Sequence, residues 1–228
     1  MSEAGWPRPG PEHGDRTGFL GRIADRQGPP PSNGPHPPPP PPDVVPEVRV
    51  RALEGVTADD VVGLLAVFTA AAEEVDAVVH LGTAEACVQQ VVRDHEVTTA
   101  IVSPDSAAAA LIVPLEAAGV EVHPPDRHRA ATADLGVTGC IGAVAATGSV
   151  VVDADLAGGR TTSLLPRVHL CVVDRRAIVP GPAQILRAPS RPLPAHRVLI
   201  AGPSRTGDIE QILTLGAHGP VALHVLVT

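Results

Sequence analysis

Short runs of β-branched and other apolar residues alternate with amphipathic stretches along the chain from Val48 onward. This alternation is typical of repeated βα units, which form a parallel sheet covered by helices. The amphipathic stretches predict helices over residues 58–74, 83–95 and 105–118, because their apolar positions recur at helical spacing. The fold class is therefore α/β, with an open, mostly parallel sheet flanked by helices. The apolar runs predict strands over 75–81, 97–103, 119–123, 148–153, 168–173, 198–201 and 221–227.

Two further helices are predicted from less regular stretches. Residues 136–146 are rich in Gly and Ala and lead into a strand, so we interpret them as a short helix. A last helix is predicted from 208 to about 215, after a Gly/Pro turn. Thr57 is expected to cap the first helix, because its hydroxyl can accept a hydrogen bond from a free N–H group of the first turn. The helix that contains Pro114 is predicted to continue through it.

The first 46 residues differ from the rest of the chain in composition. They hold 14 of the 26 prolines, including the run 37–42, and carry almost no periodic apolar pattern. Such a composition is typical of a disordered or polyproline segment. It is either a ligand for an SH3-type domain or, as we favour, a solvated extension without a specific partner. The predicted organisation is a disordered Pro-rich tail over 1–46 and one α/β domain over 47–228.

The composition excludes several classes of chemistry. The chain has no Lys and no Tyr, and all 17 of its basic residues are Arg, so it supplies no Schiff-base lysine and no P-loop lysine. Phe68 is the only aromatic residue after the Pro-rich segment, which leaves no platform for stacking nucleic-acid bases or a flavin. Because the net charge is −8, nucleic-acid binding is not expected.

Membrane association and export are not expected either. No apolar run reaches the roughly 18 residues that a membrane span needs, and the N-terminus lacks the basic and then apolar order of a secretory signal. We therefore expect a cytoplasmic protein. The three cysteines, Cys87, Cys140 and Cys171, are widely separated and form no C-x-x-C pair. This spacing predicts no disulfide framework and no Cys-ligated metal or iron–sulfur cluster, and we predict no cofactor.

The GPSRT sequence near the C-terminus is the strongest candidate for a binding site. It begins at Gly202, after a predicted strand and before a predicted helix, and a helix N-terminus in such a place offers free N–H groups to an anion. Arg205 adds a planar cation that can grip a carboxylate or phosphate, and the hydroxyls of Ser204 and Thr206 can donate further hydrogen bonds. The alternative is structural: a hydroxyl caps the helix and Arg205 pairs with Asp208.

A second stretch, residues 158–170, places Arg160 and several hydroxyls before a buried strand. A surface turn followed by a single helical turn is the structural alternative, which the composition alone favours. His169 lies within the apolar strand and is interpreted as a hydrogen-bonded core residue rather than an acid–base catalyst. His218 is a candidate lining residue of a pocket, and His224 is interpreted as structural. No standard metal-site spacing connects these histidines.

Three blocks of sequence also match a known pattern in their order and spacing. The first runs from ADLGVTG at 133–139 to AATGS at 145–149, and the second from Gly159 to His169. The third joins GPSRTGDIE at 202–210 to GAHGP at 216–220. Together the blocks resemble the LUD domain family, and the resemblance covers residues 48–228.

The resemblance implies a fold similar to that of phosphosugar isomerases, CoA transferases and 5-formyltetrahydrofolate cyclo-ligase. It also implies a part in oxidising L-lactate to pyruvate, as a cluster-free accessory subunit beside partner proteins that carry iron–sulfur clusters. A small carboxylate or phosphate is expected to bind at the GPSRT loop. The residues expected around this ligand are Gly202, Ser204, Arg205, Thr206, Arg160, Thr147 and His218.

Three positions depart from the family pattern. The family typically reads A-E-T-G-T where this chain has AATGS at 145–149, and Ile141 occupies a position that is typically acidic. Glu210 is the only glutamate in the second half of the domain, so covalent chemistry through a glutamate is poorly supported. Whether the chain is an enzyme therefore stays open. The alternatives are an enzyme of the acyl-CoA, phosphosugar or folate type, with two arginines as clamps, and a degenerate ligand-binding or interaction module.

Overall fold

The computed structural model describes residues 53–187, 194–206, 214–216 and 218–228. The predicted tail over 1–46 lies outside these ranges, and so does most of the predicted last helix. Among the described helices, none combines the length and the apolar composition that crossing a membrane requires.

A parallel sheet of six strands, called the main sheet below, forms the centre of the domain. Its strands are β1 (Ala77–His80), β2 (Thr99–Val102), β3 (Glu121–His123), β4 (Leu135–Gly139), β7 (Val168–Val173) and β12 (Ala222–Val227). Their order is β1-β12-β7-β4-β2-β3, and every neighbouring pair is parallel. Strands β4 and β7 are buried along their whole length, as expected for central strands covered on both faces. The predicted α/β class with a mostly parallel sheet is confirmed.

A smaller sheet, called the second sheet, packs beside the main sheet. Its strands are β5 (Gly142–Val144), β6 (Ser149–Asp153), β8 (Ile178–Val179) and β9 (Arg197–Ile200). The order is β8-β5-β6-β9, with β6 antiparallel to both of its neighbours and β5 parallel to β8. A short antiparallel ladder joins β10 (Arg205–Thr206) to β11 (Thr214–Leu215).

Helices cover the two sheets within the described part of the chain. They are α1 (Val61–Glu74), α2 (Ala84–His95), α3 (Ser106–Ala109), α4 (Ile112–Ala117), α5 (Arg127–Ala130), α6 (Thr161–Leu164) and α7 (Pro182–Arg187), with 3₁₀ turns at Ala145–Thr147 and Arg175–Ala177. Side chains cap several of them: the Thr83 hydroxyl accepts a hydrogen bond from the Ala86 N–H at 3.3 Å, and the Asp105 carboxylate accepts one from the Ala108 N–H at 3.0 Å. These caps satisfy N–H groups that have no partner inside a helix.

The core has two apolar layers, one on each face of the main sheet. On one face, Val91 of α2 and Leu115 of α4 pack with Leu170 of β7. On the other, Phe68 of α1 packs with Val150 of the second sheet and with main-sheet side chains. Each of these five side chains is buried. The main sheet is therefore the middle layer of a three-layer domain.

The helix predicted over 136–146 is wrong, because most of these residues belong to β4 and β5 and the last of them begin the 3₁₀ turn at Ala145–Thr147. Gly136 explains the unusual composition of β4: a Cβ atom there would lie 2.0 Å from the Thr162 carbonyl oxygen. Glycine thus allows the α6 segment to pack directly on the sheet backbone. The small residues in this stretch reflect close packing of elements and not helix formation.

Three other predicted helix boundaries are also wrong. The helix over 105–118 is two helices, α3 and α4, and Pro114 lies in the first turn of α4, where its missing N–H is not needed. The cap of α1 is Asp60 and not Thr57, because the Asp60 carboxylate accepts a hydrogen bond from the Gly63 N–H at 2.9 Å. Thr214 and Leu215, the predicted end of the last helix, form β11.

Candidate functional site

The GPSRT loop leaves the second sheet after β9 and lies at the amino edge of the main sheet, where β1 and β12 begin. Gly202 has a φ of +70°, and a Cβ atom there would lie 2.0 Å from the carbonyl oxygen of Val75, which precedes β1. The Ser204 N–H donates to the Pro220 carbonyl at 2.8 Å, just before β12. Glycine is therefore required at the first position of the loop, because only it accepts both the positive φ and the close approach.

The AATGS turn between β5 and β6 lies beside the GPSRT loop. Strands β6 and β9 pair with Val150 opposite Ile200, so the turn that precedes β6 lies next to the loop that follows β9. Gly148 has a φ of +60°, and a Cβ atom there would lie 2.3 Å from the backbone nitrogen of Ala72 in α1. The turns at Gly148 and Gly202 thus both pack against the C-terminal end of α1. The exposed Thr147 hydroxyl lies 2.8 Å from the Ser149 hydroxyl in this turn.

The GAHGP segment completes this cluster of loops. The Gly216 N–H donates to the Ser204 carbonyl at 2.9 Å. A Cβ atom on Gly219 would lie 3.2 Å from the Cβ of Ser204, so the two segments are in contact. His218 is exposed beside them. Three of the sequence segments expected to form the binding site therefore meet at the amino edge of the main sheet.

Arg205 forms an exposed ion pair at this edge. Its guanidinium donates to the carboxylate of Asp76 and, at 3.5 Å, to the carbonyl of Val75. The side chains of Arg205 and Asp76 are 34% and 72% exposed, so water weakens their attraction and the pair contributes at most about 1 kcal/mol. Thr206 lies in β10, and Asp208, the partner proposed from the sequence, lies outside the described residues.

Arg160 lies away from this cluster, at the carboxyl edge of the main sheet. A Cβ atom on Gly158 would lie 2.5 Å from the Pro125 ring and 3.2 Å from Pro104, and these prolines follow β3 and β2. Asp153 lies four positions along β6 from Ser149, the last residue of the AATGS turn, a distance of about 13 Å at the usual rise of a strand. The structure therefore does not bring Arg160 to the GPSRT loop.

Arg160 lines an open cleft of about 450 Å³. Asp155 faces the same cleft and accepts a hydrogen bond from the Ala195 N–H at 3.4 Å. The other lining residues are Ala154, Gly158, Gly159, Ala195 and His196.

The sequence did not indicate two polar features of the structure. Asp76 occupies a left-handed turn between α1 and β1, with a φ of 61°. The other feature is a chain of three imidazoles: His224 of β12 lies 3.0 Å from a nitrogen of His80 in β1 and 2.8 Å from one of His95 in α2. Burial, with the nearby imidazoles, lowers the pKa of His224 to about 4. No sequence spacing could reveal this chain, because its members come from three separate elements.

His169 is a buried residue of β7. One of its ring nitrogens lies 2.9 Å from the Thr138 hydroxyl, and the other, Nδ1, has no hydrogen-bond partner. Burial lowers the pKa of His169 to about 4, so the ring is neutral at pH 7. Among the described residues, no group of three or more His, Cys, Asp or Glu side chains has an arrangement suited to a metal ion.

Comparison with known proteins gives a family match over most of the chain. The model of the LUD domain matches residues 65–228. Among curated proteins, lactate utilization protein C of Halalkalibacterium halodurans is 34% identical over 107 residues, which are 44% of this chain and 46% of that protein. The protein of the same name from Deinococcus radiodurans is 38% identical over 99 residues, or 42% and 46% of the two chains. The one from Bacillus subtilis is 36% identical over 107 residues, or 44% and 45%.

The alignments thus span somewhat less than half the length of these curated relatives. Among solved structures, the crystal structure of a DUF162 family protein from Deinococcus radiodurans matches 73% of this chain and 97% of that one, with a TM-score of 0.52 and 24% sequence identity. At this identity the likeness shows a shared fold.

Proposed function

The chain belongs to the LUD domain family, and we propose from this membership that it takes part in lactate utilization. The curated relatives that share its sequence are named lactate utilization protein C. Its role in this proposal is that of an accessory subunit in a system that oxidises L-lactate to pyruvate. The three cysteines of this chain form no C-x-x-C pair that would hold an iron–sulfur cluster. In the proposal, the clusters that accept the electrons therefore belong to partner proteins.

In this proposal the subunit binds a small anion at the GPSRT loop. The observation that carries it is the meeting of the AATGS turn, the GPSRT loop and the GAHGP segment at the end of α1. These segments carry Thr147, Ser204 and Arg205, whose hydroxyl and guanidinium groups are the proposed donors to the anion. A carboxylate or phosphate satisfies such donors and can form two parallel hydrogen bonds with a guanidinium.

The ligand competes with Asp76 for Arg205. Because the Arg205–Asp76 pair is exposed and weak, a carboxylate that also accepts hydrogen bonds from neighbouring hydroxyls can replace Asp76. The ion pair then serves as the resting arrangement of an empty site. Binding is expected to weaken at high ionic strength, because salt screens exposed charges.

Binding without turnover fits the surroundings of the AATGS turn. Ile141 and Ala146, at the two positions where the family pattern is acidic, pack against an apolar cluster that contains Val144, Val151 and Ile185. Neither position can act as a general acid, a base or a nucleophile. The accessory role is therefore proposed in preference to that of an independent enzyme.

Thermal unfolding of the full chain with and without L-lactate, pyruvate or inorganic phosphate tests this proposal. We expect at least one of these anions to raise the Tm of the wild type and to leave that of Arg205→Ala unchanged, since a ligand stabilises the state that binds it. Arg176→Ala is the matched control, because Arg176 is an exposed arginine at the opposite edge of the sheet and should keep the full shift. Equal shifts in all three proteins would remove the anion site from the proposal.

A further inference from the structure

Two of the three cysteines meet where the chain passes from the main sheet to the second sheet. Cys171 is buried in β7, and Cys140 is half-buried directly after β4. Their neighbours Val172 and Gly139 are paired across the two strands. The Cys140 thiol donates to the Val172 carbonyl at 3.4 Å, and the Cys171 thiol lies 3.9 Å from the Gly139 carbonyl. Each sulfur therefore reaches the residue next to the other cysteine.

The side chains of Cys140 and Cys171 also lie on the same face of the main sheet, because Thr138 is the register partner of Cys171 and Cys140 follows Thr138 by two residues. Both side chains belong to the apolar layer between the main and second sheets, and the connection from Cys140 to β5 carries the chain over the face on which Cys171 lies. The neighbouring Cys140 side chain, together with burial, raises the pKa of Cys171 well above its usual range. The resting pair is thus a buried thiol beside a half-buried one.

We propose that Cys140 and Cys171 are a redox modification site, at which hydrogen peroxide converts the two thiols into a reversible intramolecular disulfide. A disulfide forms only when two sulfurs can close to about 2.0 Å without large backbone movement. Cys140 and Cys171 are placed for such a closure, because each sulfur lies within 4 Å of the peptide group next to the other cysteine. The spacing in the sequence does not reveal the pair, because 30 residues separate the two cysteines and only the register of β4 and β7 brings them together.

The reaction balances with peroxide as the oxidant. The Cys140 sulfur attacks one peroxide oxygen, so that an S–O bond forms, the O–O bond breaks, and the departing hydroxide leaves as water with the thiol proton. The Cys171 sulfur then attacks the Cys140 sulfur, the S–S bond forms, and the S–O bond breaks. The Cys171 proton leaves with the second hydroxide as water. The two thiols lose two electrons and two protons, and one hydrogen peroxide becomes two water molecules.

The order of the two steps follows from exposure. Cys140 is the half-buried thiol and meets the oxidant first, whereas Cys171 is fully buried and can only resolve the sulfenic acid that forms beside it. The disulfide would tie the β4–β5 connection to β7 and enclose the chain segment that contains both the AATGS turn and Arg160. This inference does not depend on the proposed role in lactate utilization.

Peroxide treatment of the full chain, followed by alkylation and tryptic peptide mapping without reduction, tests the inference. We expect a mass loss of about 2 Da per chain and a linked pair of the peptides 130–160 and 168–175. The number of free thiols should fall from three to one, and dithiothreitol should restore it.

Cys87 supplies the matched control. It is buried in a separate part of the core, and burial raises the pKa of its thiol to about 12. Cys87→Ser should therefore form the same linked pair, and Cys140→Ser should form none. The proposal is overturned if the linked peptide contains Cys87 or joins two chains. It is equally overturned if Cys140 is oxidised to sulfinic or sulfonic acid, or stays a thiol, without the linked pair appearing.

Discussion

Lowering the pH from about 7.5 to 5.5 is expected to destabilise the fold through two buried histidines. Burial lowers the pKa of His169 and of His224 to about 4, from an ordinary value of 6.5. Between these two values the unfolded chain binds protons that the folded chain does not bind. The unfolding free energy is therefore highest above pH 6.5 and falls as the pH decreases toward 4.

The size of this effect follows from the two pKa values. At a pH about one unit below the unfolded pKa, protonation favours the unfolded form of each histidine by about ten-fold, or about 1.4 kcal/mol. Two histidines together give about 3 kcal/mol, a substantial part of the stability of a typical domain. His80 and His95 add to the effect in the same direction, because burial also lowers their pKa.

Urea denaturation at a series of pH values measures this effect. Between about pH 6 and 5 the unfolding free energy should fall by roughly 1.4 kcal/mol per pH unit for each of the two histidines. His169→Asn should remove the share of one histidine from this slope, whereas His218→Asn, a change at an exposed position, should leave the slope as in the wild type. An unfolding free energy that stays constant between about pH 7.5 and 5.5, or a slope that His169→Asn does not reduce, would refute the reasoning.

Two further predictions concern stability at neutral pH. Gly202→Ala should cost about 3 kcal/mol or more in denaturant unfolding, because it combines a positive φ with a contact of 2.0 Å to the Val75 carbonyl. Gly119→Ala, with a φ of +83° and no atom within 4 Å, should cost only about 1 kcal/mol, and equal costs would contradict the packing argument. Asp134→Asn should cost about 2 kcal/mol, since one carboxylate oxygen accepts four hydrogen bonds from the backbone and hydroxyls of Thr98 and Thr99. An unchanged urea midpoint for Asp134→Asn would show that these bonds do not stabilise the fold.

The sequence predicts best those strands that are continuous runs of apolar residues. Strand β7 has the predicted bounds because it is a continuous apolar run covered on both faces. Strand β4 was missed because Gly136 serves a close contact with α6, which no local pattern shows. The second sheet was missed for a related reason: β6 and β9 are far apart in the chain, and their pairing depends on the whole fold.

In the candidate site, too, contacts between elements that are distant in the chain could not be predicted from the local sequence. The resemblance to a family grouped segments that are distant in the chain, and the structure brings the AATGS turn, the GPSRT loop and the GAHGP segment to the same edge of the main sheet. It also grouped Arg160 with them, although the length of β6 separates Arg160 from the loop. Asp76 could not be foreseen as the partner of Arg205, because their contact depends on how α1 ends against the start of β1.

Calorimetric titration of L-lactate into the full chain at low ionic strength tests the central claim most directly. The variants to compare are Asp76→Asn, which keeps the shape of the side chain and removes the competing charge, and Arg205→Ala, which removes the cation. If lactate replaces Asp76 on Arg205, then Asp76→Asn binds lactate more tightly than the wild type, and Arg205→Ala binds it at least about ten-fold more weakly, as expected for the loss of a charge-assisted hydrogen bond. Equal affinities in the three proteins, or no binding by any of them, would contradict the account.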